Sequence, residues 1–216
     1  MPTDRDLRSC FRTLRLRSGA FLLAALAAAT TTGGAAHGQG TGPIIQHEPR
    51  AMARVVYFNA SGAQNGNPIA GEYTIEYGKP DWRSEYDAGF DQLTRGKRLR
   101  LGKDWWTTLD TFVPLGFGEK SERKAGEYLL ALECSEKGEW SLIALDPEPL
   151  KKSKVDAFGS GQTRGGTKIP LTYATTENEA KELSIQFVGD DKKPREQTLE
   201  IRFGRHRLTT MVKPRI

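Results

Sequence analysis

Cysteine is almost missing: the 216 residues hold Cys10 and Cys134 only, so no disulfide framework can brace the fold. Histidine is nearly as scarce. His47 and His206 stand far apart with no His-x-His pair, which leaves a three-ligand metal site without a framework, and neither metal nor cofactor is expected. Long apolar runs are missing as well. The longest, Ala20-Phe-Leu-Leu-Ala-Ala-Leu-Ala-Ala-Ala29, gives way to Thr, Gly and Ala well before the roughly 20 residues that cross a bilayer. The mature chain is therefore expected to have no membrane span.

Familiar catalytic signatures fail in detail. Ser160 has glycine only on its immediate flanks, not the Gly-x-Ser-x-Gly spacing of a nucleophile elbow. Gly161 and Gly166 have phosphate-loop spacing, but Thr167 precedes Lys168, the reverse of the order such a loop needs, and a strand pattern follows instead of a helix. No catalytic residue is assigned on these grounds.

What is present starts at the N-terminus. Arg5, Arg8, Arg12, Arg15 and Arg17 precede the apolar run, and small residues at 34–38 follow it, the layout of a secretory signal peptide over residues 1–38. Cleavage near His37 or Gln39 is expected, the second favoured, with a periplasmic or extracellular destination. Cys10 lies ahead of the apolar core, so there is no lipoprotein signal. Without the leader's five arginines and two aspartates, the net charge falls from +5 to about +2, with 27 basic residues against 25 acidic. The basic character belongs to the leader, and nucleic acid is excluded as an expected partner. Cys134, left alone, reads as a small buried hydrophobe.

Residues 39–50 form a flexible lead-in rich in Gly and polar groups, and a single β domain is expected over 51–216. Its period is two. In Tyr73-Thr-Ile-Glu-Tyr77 the Tyr, Ile and Tyr share one face and Thr and Glu the other. Val55 to Phe58 reaches this strand through the turn 61–68, and Tyr128 to Cys134 with Trp140 to Leu145 makes the clearest hairpin. Four further strands are predicted at 169–173, 183–187, 199–203 and 208–212, with Pro170 confined to an edge or a strand start. About nine short strands and almost no helical period predict an all-β, antiparallel β-sandwich, with a closed barrel as the alternative. The long irregular piece Asp146 to Thr167, holding a short helix within 150–158, is expected to be the moving part.

The stretch Leu99-Arg-Leu-Gly-Lys-Asp-Trp-Trp-Thr-Thr108 carries the candidate recognition surface. On a strand, Trp105 and Trp106 point to opposite faces, so at most one enters the core, while the other lies near Arg100 and Asp104 as a sugar or peptide platform. Alternatively, one fills the core and its neighbour packs under a loop, with Trp82 and Tyr86 as cover. Tyr77 and Lys79 complete the expected ligand-binding set of Tyr77, Lys79, Trp82, Arg100, Asp104, Trp105 and Trp106.

Tyr73-Thr-Ile-Glu-Tyr-Gly-Lys-Pro80, Trp82, Arg98-Leu-Arg-Leu-Gly102, Trp106-Thr-Thr108, Ala125-Gly-Glu-Tyr128 and Trp140-Ser-Leu-Ile143 together resemble the bacterial family called domain of unknown function 2911, over roughly Ala51 to Arg215. The resemblance implies export and one β domain and supplies no activity. Relatives often carry Gly-Ala-Asn-Glu where this chain has Gly102-Lys103-Asp104-Trp105.

Three functions follow as expectations. The first is a non-catalytic binding or envelope-associated module, its partner a glycan, a peptide or an envelope protein. The second is a hydrolase using Asp81, Glu85, Asp87 and Asp91, since opposed carboxylates can serve glycoside hydrolysis, although mixed charge there also suits a solvated loop. The third is a structural partner in an extracellular assembly.

Overall fold

The computed structural model describes residues 49–59, 66, 68–190 and 192–216. The predicted leader, the lead-in up to 48 and most of the 61–68 turn lie outside them. The described chain is all-β, built on ten strands. β1 (Ala51–Phe58) and β2 (Ile69–Tyr77) form the expected hairpin, with Ala51 opposite Tyr77. Helix α1 (Glu85–Thr94), β3 (Lys97–Arg100), β4 (Thr107–Thr111), β5 (Leu115–Phe117) and β6 (Ser121–Arg123) follow. The second hairpin is β7 (Gly126–Cys134) with β8 (Trp140–Leu145). After α2 (Pro147–Lys152) and a 3-10 turn at Ala157–Gln162 come two long strands, β9 (Thr167–Gly189) and β10 (Gln197–Pro214). Among the described residues no helix is long and apolar enough to cross a membrane.

All pairings between these strands are antiparallel, in the order β1-β2-β4-β7-β8-β9-β10-β5-β6, with β3 also on β7. The expected two separate sheets are thus one continuous path. It turns at β9, whose residues 167–171 pair with β8 and whose residues 172–189 pair with β10. The two halves of the path meet across the core. Tyr73, Ile75 and Tyr77 of β2, buried on alternate positions as predicted, pack in one cluster with Leu183 and Ile185 of β9 and Leu199 and Ile201 of β10. Each such side chain removed from water contributes about 1.5–3 kcal/mol. Across the gap the Tyr73 and Phe187 rings meet edge to face with centroids 4.8 Å apart. The Tyr77 hydroxyl accepts from the Ile185 N–H at 3.0 Å and donates to the Ile185 carbonyl at 3.3 Å.

Three sequence expectations need correction. The four C-terminal strands are two, because the polar stretch between 173 and 183 stays extended by pairing with β10 instead of turning. Its fit is irregular: Ser184 opposes Arg202, Ala180 opposes Gly204 and Thr175 opposes His206, so β9 carries surplus residues at two bulges. Residues 80–82 take up backbone groups freed there: Trp82 N–H donates to the Lys181 carbonyl at 2.7 Å and Leu183 N–H to the Pro80 carbonyl at 3.0 Å. Second, the charged stretch after Asp81 is not a loop, because α1 occupies Glu85–Thr94. Third, the long connection after β8 holds its helix at Pro147–Lys152 and a 3-10 turn at Ala157–Gln162, and no helix confined to 150–158. Its Leu150, together with Trp106, covers a second apolar cluster of Leu129, Ala131, Ile143 and Leu145 on the outer face of β7 and β8. Asp146 caps α2 by accepting from the Glu148 N–H at 3.1 Å. Cys134 is buried, as expected, and desolvation pushes its thiol up.

Candidate functional site

The chain places aromatic side chains where the two halves of the path diverge. Tyr86, Phe90 and Leu93 recur at helical spacing along α1, so one stripe of that helix is apolar while Glu85, Asp87 and Asp91 face solvent. Leu99 and Leu101 point inward around β3. From β10 come Phe203 and His206, on either side of Gly204, and from β8 comes Trp140. These side chains, with Trp82 and Leu132, wall a cavity of about 380 Å³. That is within the usual range of about 300–1,000 Å³ for small-molecule sites.

The rings hold one another in fixed geometry. The Phe90 and His206 rings stack at 3.4 Å with 4° between planes, joining α1 to β10. Trp82 stands edge-on to Phe203 at 4.8 Å and 84°, and 5.4 Å from His206. Phe90 also stacks on Trp140 at 5.9 Å. Trp82 reaches its place because Gly204, at φ +60°, has no side chain; a Cβ there would lie 2.3 Å from Trp82 Cε2.

Polar groups are few. The Tyr173 hydroxyl lies 2.9 Å from His206 Nδ1. Burial lowers the His206 pKa from its ordinary value, against a smaller opposing effect of Asp87 and Asp91 on α1, so the ring is neutral near pH 7. Burial also raises the Tyr173 pKa and keeps its proton in place. The Trp82 indole nitrogen and His206 Nε2 are buried without a hydrogen-bond partner. His206 borders a shallower depression too, with Asp87, Thr175 and Arg205.

Of the seven residues read from the sequence as a recognition set, only Trp82 brings its side chain to this cavity. Arg100 sits between the inward Leu99 and Leu101, and its guanidinium lies on the other face, 4.5 Å over the Phe158 ring, leaving its main chain at the cavity wall. Tyr77 is buried and spends its hydroxyl on Ile185. Lys79 pairs with Glu182, an interaction that raises its pKa, and borders a different depression. Asp104 takes a left-handed backbone at φ 64° beside Lys103. The double tryptophan is not on a strand: residues 101–105 bend, and β4 begins at Thr107, whose hydroxyl donates to the Leu101 carbonyl at 2.6 Å. Trp105 is 54% exposed, and Trp106 packs under the long connection, its indole N–H donating to the Val155 carbonyl at 3.4 Å. Neither fills the core, and Trp82 and Tyr86 cover the cavity, not the tryptophan pair.

The carboxylates considered for hydrolysis lie at the surface. Asp81, Glu85, Asp87 and Asp91 are all exposed; Glu85 faces Arg83 at 3.8 Å and Asp91 faces Arg95 at 3.1 Å. Among the described residues no group of three or more His, Cys, Asp or Glu side chains is placed to hold a metal ion. Sequence reasoning passed over Phe90, Trp140, Phe203 and His206. The Tyr86, Phe90, Leu93 spacing was the one local signal that could have found the cavity's helical wall.

Comparisons with protein-family models, with curated proteins and with solved structures returned no match.

Proposed function

We propose that this chain is an exported, non-catalytic binding protein that holds a small ring-containing apolar molecule in the cavity beneath α1. Export rests on the N-terminal basic and apolar pattern, and the resemblance to domain of unknown function 2911 agrees with it. Binding rests on one observation: a cavity of about 380 Å³ walled by five aromatic side chains and an imidazole, in which Arg100 alone bears charge and turns its guanidinium away.

Helix α1 is the element suited to admit the ligand. It has ten residues, Gly89 at its middle and no side-chain hydrogen bond at its N-cap, Ser84, so its own stability is marginal and packing holds it. That packing is largely Phe90 on His206 and Tyr86 on Trp82. Parting the ring contacts of Tyr86 and Phe90, which reach Trp82, Phe203, Trp140, Tyr173 and His206, exposes the cavity.

The test is a titration of the purified protein with N-phenyl-1-naphthylamine, a neutral apolar fluorophore. Saturable one-to-one enhancement is expected. Leu132→Trp, which fills the cavity from β7, abolishes it, and Trp105→Ala leaves it unchanged. A wild-type protein that keeps its β circular dichroism yet shows no saturable signal refutes the proposal.

A further inference from the structure

The cavity is apolar but not featureless, and resting on the binding reading above, its polar atoms narrow the ligand class. Trp82 Nε1 can only donate a hydrogen bond, and it is buried with no acceptor. His206 Nε2 is likewise buried and unpaired. The partner at Nδ1 decides which role Nε2 plays. A phenol is a better donor than acceptor and a neutral imidazole nitrogen is a good acceptor, so the Tyr173 hydroxyl donates to Nδ1 over its 2.9 Å contact and the imidazole proton resides on Nε2. The raised pKa of Tyr173 and the lowered pKa of His206 agree with that arrangement. Trp82 and His206, two rings of one cavity wall with centroids 5.4 Å apart, thus each hold a buried N–H without an acceptor.

We infer that the cavity selects a neutral ring compound bearing a hydrogen-bond acceptor, of the aryl ketone or quinone carbonyl type, whose oxygen takes the N–H groups of Trp82 and His206. Neutrality follows from the charges. Among the described residues the one cationic side chain at the cavity, Arg100, lays its guanidinium over Phe158, and the ionised side chains of α1 that act on His206 are Asp87 and Asp91, which disfavour an anion. Flat rings suit the walls, where Phe90, His206 and Trp140 lie nearly parallel. A buried donor left unpaired is costly while a paired one is not, so a carbonyl should be preferred over a methylene of the same shape by about tenfold or more.

Three rigid tricyclic probes of nearly equal size separate the alternatives: fluorene has no acceptor, 9-fluorenone has a carbonyl, and carbazole has an N–H donor. Their affinities are measured by displacement of N-phenyl-1-naphthylamine from the full protein, with the fluorenone C=O stretch followed by infrared difference spectroscopy. Fluorenone is expected to bind at least tenfold more tightly than fluorene or carbazole, with its carbonyl stretch lowered on binding. His206→Phe and Trp82→Phe, which keep a ring in place, should each shrink the ratio of fluorenone to fluorene affinity and the spectral shift. Equal affinities, tightest binding of carbazole, or a preference that survives both substitutions overturns this inference alone. Binding of none of the three by the folded wild-type protein overturns it together with the cavity-binding proposal.

Discussion

Gly204→Ala is the substitution whose cost the structure specifies most fully. Gly204 lies at φ +60° between the two bulges of β9 against β10, and a Cβ built there would lie 2.3, 2.5 and 2.7 Å from three atoms of the Trp82 ring. Two penalties follow. Holding an L-residue in the left-handed region costs about 1–2 kcal/mol, and forcing an extra methyl into a filled contact typically costs about 1–3 kcal/mol. The ring has little room to yield, since Phe203, His206 and Tyr86 surround it at centroid distances of 4.8 to 5.4 Å. A total near 3 kcal/mol is expected, which for a chain of this size lowers Tm by roughly 6–12 °C. Urea unfolding of four proteins measures it: wild type, Gly204→Ala, Trp82→Ala and the double variant. Without the indole the clash disappears and only the backbone penalty remains, so the cycle should give a coupling of about 1–2 kcal/mol. A Gly204→Ala protein within about 0.5 kcal/mol of wild type, or the same loss in the Trp82→Ala background, refutes the reasoning.

Two more outcomes are expected. His206 has a folded-state pKa below its unfolded value because burial disfavours the imidazolium, so the unfolded chain binds the extra proton first as pH falls. Stability should therefore decline from about pH 6.5 down to the depressed folded value, a slope that urea midpoints between pH 7.5 and 5 reveal and that His206→Phe flattens; parallel profiles for the two proteins count against it. Tyr77→Phe leaves the Ile185 N–H and carbonyl without the hydroxyl that serves both across the core, and should cost about 2–3 kcal/mol with N-phenyl-1-naphthylamine affinity little changed; a loss below about 0.5 kcal/mol, or a change in affinity greater than the change in stability, argues against a purely structural Tyr77.

Much of the fold was legible because a strand's side chains alternate within a few residues. Tyr73, Ile75 and Tyr77 announce their inward face by composition alone, and the turn at 135–138 leaves one sensible partner for residues 128–134. The C-terminal half was harder. Residues 174–182 lack an apolar alternation, and nothing local says that β10 will hold them extended. In the same way, the charges of α1 concealed a three-residue apolar stripe that matters only once it meets His206. The double tryptophan misled for a related reason. Thr107 and Gly102 close a bend before β4 begins, so strand geometry does not govern Trp105 and Trp106.

The sequence by itself determined the antiparallel β class, the two hairpins and the inward face of β2, because side-chain period and turn chemistry act over neighbouring residues. Only the tertiary structure decided that β9 changes partners along its length, that α1 closes over a cavity, and that Trp82 and His206, each with a buried nitrogen that lacks a partner, share its wall. Those features join residues from 80 to 208, and a contact across that distance depends on which surfaces the whole pairing path brings together.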